Sequence, residues 1–232
     1  MQNKNLWLIT IFSLVACVLH ASILFTPFNF YLYTSAFKVV LFIACPLIYY
    51  RLILKEKFTD YLFVKGDRRN IKLSLILGIC VFLFIWGAFL LLRPLIDSQL
   101  ISDALDANGI TGDNFHFVFI YIVLINATLE QIFFRGFVFM TLYRMDFKGY
   151  AHVYSSLLFS LYHVPIIWGG VSLGIMLLSV FGLVIAGLIF NFLAVKCKNL
   201  LGSIIVHVSA NFALNTIVLY NLHFYLGGVP TQ

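Results

Sequence analysis

Seven long apolar stretches alternate with short polar ones along the chain. They run approximately from Leu6 to Phe25, Tyr33 to Leu54, Ile71 to Leu92, Phe115 to Tyr143, Gly149 to Val164, Val171 to Val195 and Leu200 to Leu222. Most are near the roughly 20 residues that a helix needs to cross a bilayer. The pattern therefore predicts an all-α fold, a polytopic membrane bundle of about seven transmembrane helices around a buried polar cavity. The fifth stretch is short and ends at Val164-Pro165, before a loop with Trp168-Gly169-Gly170, so it is expected to sit partly inside the bundle. Gly182 and Ala186 on the sixth are spaced for close helix contact.

Three of these stretches carry polar residues where lipid would reject them. The fourth holds Asn126, Glu130, Gln131 and Arg135. A charge at bilayer depth costs at least about 2.5 to 3.5 kcal/mol, so both Glu130 and Arg135 must face protein or a water-filled cavity. Helical spacing puts Asn126 and Glu130 on one face and Thr128, Gln131 and Arg135 on a neighbouring one. Glu130 and Arg135, five apart, point roughly 140° away from each other on an ideal helix. Gln131 is therefore the expected partner of Arg135. On the fifth stretch His152, Ser156, Phe159 and His163 share a face, and on the seventh Ser203, His207, Asn211 and Asn215 recur every four residues. Counting about 1.5 Å per residue from the expected cytoplasmic ends puts Glu130 at roughly 20 Å, His163 at roughly 21 Å, Asn211 at roughly 17 Å and His207 at roughly 11 Å. Any one of these groups alone reads as helix glue; together, at overlapping depths, they read as a functional cavity.

Composition agrees with a membrane protein, since 62% of residues are hydrophobic and only 10% charged. No polar stretch is long enough for a separate soluble domain. The formal charge of +6 belongs to loops beside the spans, which argues against a nucleic-acid partner. The most basic loop, with Arg51, Lys55, Lys57, Lys65, Arg68, Arg69 and Lys72 outnumbering Glu56, Asp60 and Asp67, is expected to be cytoplasmic. Counting outward from it puts Lys4, Arg144, Lys148, Lys196 and Lys198 inside as well. The loop carrying Asp97, Asp103, Asp106 and Asp113 falls outside, with Arg93 and Lys38 the basic residues on that side, and the stretch from Asp106 to Gly112 reads as an exterior loop. The expected location is a cell membrane, multi-pass, with the N-terminus cytoplasmic and the C-terminus outside. Cys17, Cys45, Cys80 and Cys197 have no paired spacing and suggest neither disulfides nor a thiolate metal site. Leu14-Val15-Ala16-Cys17 looks like a lipoprotein cleavage box, but the length of its apolar run suits a span better.

The chemistry this set can run is water activation. Glu130 would take a proton from water and return it to a leaving amine, His163 would hold that water, and His207 and Asn211 would donate to the oxygen of a tetrahedral intermediate. The sum is amide hydrolysis without a covalent intermediate.

These residues also match a pattern. Glu130-Gln131 with Arg135 resembles an EExxxR motif, Phe159-Ser160-Leu161-Tyr162-His163 matches FxxxH, and His207-Val208-Ser209-Ala210-Asn211 matches HxxxN. In this order they resemble the CAAX-protease and bacteriocin-processing (CPBP, Abi) family of intramembrane proteases over about Asn114 to Leu222. The resemblance implies a multi-helix fold with a membrane-embedded cavity, a water activated by Glu130 and His163, and an oxyanion pair in His207 and Asn211. Gln131, Arg135 and Phe159 are expected as structural support. Gln131 departs from the pattern, which has a second Glu there. No cofactor is expected, with zinc on Glu130, His163 and His207 as the alternative.

The expected division is 1–113 for the N-terminal helices with their loops, 114–222 for the catalytic core and 223–232 for a short tail. The expected function is endoproteolysis of a membrane-associated peptide or protein, in peptide maturation, CAAX-type processing or bacteriocin immunity. The expected partners are that substrate and membrane lipids. The alternatives are a non-catalytic Abi-type membrane protein that binds and regulates a partner, such as a regulatory membrane protein, or confers bacteriocin immunity, and a transporter, whose polar groups would cross the membrane rather than cluster at one depth.

Overall fold

A computed structural model describes residues 2–26, 30–58 and 68–226. Asp60, Lys65 and Asp67 of the basic loop, and residues 227–232 of the tail, lie outside the described residues. The described chain is all helical: α1 (Gln2–Ile23), α2 (Tyr31–Ile48), α3 (Arg68–Leu92), α4 (Ser98–Ala107), α5 (Phe115–Arg144), α6 (Lys148–Ile167), α7 (Leu173–Cys197) and α8 (Leu201–Leu226). A π-helical turn, Tyr49–Leu54, extends α2. The polytopic helical bundle expected from the pattern is thus the fold observed.

Large apolar side chains point outward all along the spans; Leu91 is 80% exposed and Phe84 74%. Such a surface requires a hydrocarbon solvent rather than water. Six helices are long and apolar enough to cross a membrane, and the chain is a multi-pass membrane protein. The expected fifth span, α6, is not among the six, because it is rich in Ser, His and Tyr. Its polar side chains face protein instead: Ser155, Ser156 and Ser160 are fully buried. The helix also continues through Pro165 to Ile167, past the end expected from that proline.

The centre of the bundle is α5, whose winding is unusual. It runs as α-helix over Phe115–Ile120, π-helix over Tyr121–Asn126, one α-turn over Ala127–Glu130, π-helix again over Gln131–Phe139 and α-helix over Met140–Arg144. Hydrogen bonds from i to i+5 replace the usual i to i+4, and such segments are frequent at functional sites. Packing on all sides holds this wider helix: Phe133, Phe134, Phe137, Val138 and Phe139 are all fully buried. Phe42 of α2 stacks on Phe133 with ring centroids 4.0 Å apart, and Phe159 of α6 meets Phe134 edge-on at 5.2 Å. α6 in turn packs on α7, and α8 lies along α3 and α7.

Two expectations about the periphery change. The close helix contact on α7 lies at Gly187, where a side chain would come within 2.8 Å of the Ser156 Cα, whereas nothing lies within 4 Å of where a Gly182 Cβ would be. The exterior loop contains a helix, α4, whose N-cap Asp97 accepts from the backbone N–H of Gln99 at 2.9 Å. That is the ordinary helix-start chemistry of an Asp, hidden in the sequence by the flanking polar residues.

Hydrogen bonds group the helix ends in two sets. Asn70 at the start of α3 donates to the carbonyl of Lys196 near the end of α7 at 3.1 Å, and the Tyr31 N–H at the start of α2 donates to Asn108 at 3.0 Å. From the charge bias the Asn70 set is the one expected on the cytoplasmic side. As a hypothesis from that bias, single-cysteine labelling in a cysteine-free background should find Ser98 reachable from outside and Asn70 only after permeabilisation. The opposite pattern would overturn the orientation.

Candidate active site

Glu130 is 1% exposed and stands where α2, α5, α6 and α8 meet. Its two oxygens have different neighbours. Oε1 accepts from Asn126 Nδ2 at 3.0 Å, Lys38 Nζ at 3.5 Å and the Tyr162 hydroxyl at 3.5 Å. Oε2 accepts no hydrogen bond from protein among the described residues, and two imidazoles face it: His163 Nε2 and His207 Nε2, each 3.7 Å away. That spacing is too long for a hydrogen bond, and short enough for one small oxygen to touch both partners of either pair.

The far nitrogens of the two imidazoles set their tautomers. His163 Nδ1 lies 2.7 Å from the carbonyl of Phe159; a carbonyl only accepts, so Nδ1 carries the proton and Nε2 presents a lone pair. His207 Nδ1 lies 2.8 Å from Gln131 Nε2; an amide nitrogen only donates, so Nδ1 accepts and Nε2 carries the proton. One imidazole thus offers Oε2 an acceptor and the other a donor.

The structure brings Glu130, His163 and His207 together, with Gln131, Arg135 and Phe159 directly behind them. Asn211 stands one turn beyond His207, where its Nδ2 donates to the carbonyl of Ile122 at 3.0 Å and ties α8 to the first π-segment of α5. His152 packs edge-on to Phe139 at 4.8 Å, Ser203 donates to Leu200 at 2.9 Å and Asn215 donates to the Asn211 carbonyl at 2.8 Å. These three do not enter the site. Thr128 turns away to the carbonyl of Leu124 at 2.7 Å.

The expected Gln131–Arg135 clamp is corrected. Gln131 is bonded to His207, and Arg135, with no exposed surface, lies against two aromatic rings, 4.2 Å from the Phe159 centroid and 4.8 Å from that of Phe190. Its Nη2 also reaches the Gly187 carbonyl at 3.4 Å. The cause is the partners that other helices bring: His207 of α8 takes the Gln131 amide, while Phe159 of α6 and Phe190 and the Gly187 carbonyl of α7 take the guanidinium. Two rings set at 79° to each other offset part of the cost of the buried guanidinium through their π-faces, while Nε and Nη1 have no hydrogen-bond partner among the described residues.

One member of the site was missed in the sequence, where Lys38 counted only as a basic residue of the outer side. It is 8% exposed and donates to Asn126 Oδ1 at 2.5 Å as well as to Glu130. The signal was present: Lys38 is the one charged residue within α2, the same anomaly that singles out Glu130.

Residues 112–213 match the model of a family described as type II CAAX prenyl endopeptidase Rce1-like. Over this segment, somewhat under half of the chain, the protein is similar to the CAAX-protease family. The matched segment contains Glu130, Gln131, Arg135, Phe159, His163, His207 and Asn211, and leaves out Lys38. The family is one of proteases, which supports a peptidase with a peptide or protein substrate. No curated protein and no solved structure matches the chain.

Proposed function

We propose that this chain is an intramembrane endopeptidase that hydrolyses a membrane-associated peptide or protein with water activated by Glu130 and His163. The observation that carries the reading is the pair of imidazoles, one accepting and one donating, set on the free oxygen of a buried carboxylate. A water between Glu130 Oε2 and His163 Nε2 would give one hydrogen to each. As its oxygen attacks the scissile carbonyl carbon, Glu130 takes a proton and the carbonyl oxygen becomes an oxyanion, to which His207 Nε2–H donates. Collapse breaks the C–N bond, and Glu130 returns the proton to the leaving amine. Asn211 joins the oxyanion donors if its amide exchanges the Ile122 carbonyl for substrate.

Zinc on Glu130, His163 and His207 does not fit these donors. Nε2 of His207 bears the proton and has no lone pair for a metal, and the Lys38 ammonium already stands 3.5 Å from Glu130 Oε1. The reading is therefore metal-free.

The test compares peptides released by membranes holding wild type and Glu130→Ala, with and without a chelator. Expected are peptides specific to wild type, in amounts that a chelator leaves largely unchanged. Loss on chelation with recovery on added zinc would refute the metal-free mechanism. Identical peptide sets, with a phenotype lost in Glu130→Ala, would point to the non-catalytic binding protein, for which Gln131 in place of the family's Glu is the favouring feature.

A further inference from the structure

We infer that Lys38, on a helix outside the segment matched to the family, is a positioning residue that holds Glu130 by Oε1 and so leaves Oε2 as the reacting oxygen; the inference rests on the peptidase reading above. Every donor on Glu130 meets the same oxygen. Lys38 Nζ and the Tyr162 hydroxyl stand at 3.5 Å from Oε1 and Asn126 Nδ2 at 3.0 Å, while both imidazoles face Oε2.

Lys38 organises this set. By donating to Asn126 Oδ1 at 2.5 Å it fixes which end of that amide is oxygen, and so turns Nδ2 toward Glu130. An ammonium has three donors, and here two go to Asn126 and Glu130 while the ring of Tyr162, 5.7 Å from Nζ to its centroid, takes up part of the remaining charge. Neither Arg135, which lies against Phe159 and Phe190 without an ion pair among the described residues, nor the neutral Gln131 supplies a cation to this carboxylate. The N-terminal helices are thereby part of the working site, through α2.

A merely structural ion pair would stabilise the fold without setting the reactivity of Oε2, and two measurements separate these roles. The first is kcat and KM for Lys38→Gln and Lys38→Met on a peptide identified by the membrane comparison. Loss of a hydrogen bond to a charged group corresponds to about a 10- to 100-fold fall in kcat, with KM within about 2-fold of wild type because no substrate contact is removed. The second is a thermal-unfolding cycle crossing Lys38→Met with Glu130→Gln, which reads the pair without any turnover. Lys38→Met alone should lower the midpoint, and the same change in a Glu130→Gln background should raise it, because it then removes an ammonium left without its carboxylate.

Wild-type kcat in Lys38→Met overturns the inference, as does a midpoint change that is the same in both backgrounds. If Lys38→Met does not fold, the Lys38→Met/Glu130→Gln double variant should, and its failure also counts against the inference. Absence of any released peptide from wild type would instead defeat the peptidase reading, with the unfolding cycle still deciding whether the two residues are coupled.

Discussion

Glu130→Gln is expected to cut peptide release by about 100- to 10,000-fold, the range that a general base contributes. The substitution keeps the shape of the side chain and an oxygen for Asn126 and Lys38, but removes the group that takes the proton of water. It also leaves the Lys38 ammonium beside a neutral amide in a site shielded from solvent. A loss of about 1 to 3 kcal/mol in stability should accompany the loss of turnover. The two effects separate on adding Lys38→Met, which should recover stability and leave turnover at the level of the single variant. Turnover within about 10-fold of wild type in a folded Glu130→Gln protein would remove Glu130 from the role of base.

The second large effect is expected at His207. Removing one oxyanion donor elsewhere costs about 100- to 1,000-fold in kcat, and His207→Ala should fall in that range with the protein still folded. Gln131 makes the prediction sharper, because its amide N–H is what leaves the ring proton on Nε2. Gln131→Leu withdraws that N–H from Nδ1, so the ring can carry its proton on either nitrogen. The expected result is a kcat reduced by about 10-fold or more in a protein as stable as wild type, since Arg135 is compensated by Phe159, Phe190 and the Gly187 carbonyl rather than by Gln131. Detergent-solubilised yield, thermal midpoint and turnover measured together decide the point. A Gln131→Leu protein that is poorly folded but retains full specific activity would restore Gln131 to the role of an anchor for Arg135.

Gln131 also shows how a reading of helical spacing fails. The ideal spacing of 3.6 residues pairs 131 with 135, and it divides α5 into a reacting and an anchoring face. Nothing local in Gln131-Ile132-Phe133-Phe134-Arg135 announces that His207 of α8 takes the Gln131 amide and that Phe159 and Phe190 of other helices take the guanidinium. Lys38 failed for another reason. As a basic residue it reads as a topology signal, although a lone lysine among Tyr33 to Leu54 carries the same desolvation cost that makes Glu130 conspicuous. The helix α6 runs past Pro165, which in the sequence reads as a stop, because a proline near the end of a helix costs little where few hydrogen bonds remain to be broken.

By itself the sequence determined that the chain is a bundle of membrane helices, because apolar runs of this length have no other way to satisfy their backbone. It also determined that Glu130, His163 and His207 face inward, since the hydrocarbon excludes them. What only the tertiary structure decided is which atoms of these side chains meet. Which oxygen of Glu130 is held and which is free, which nitrogen of each imidazole bears the proton, and that α2 supplies a cation to the site all depend on partners far away in the chain. Burial is a property that a residue's own polarity and neighbours impose, whereas hydrogen-bond direction is set by whatever group another helix brings within 3 Å or so.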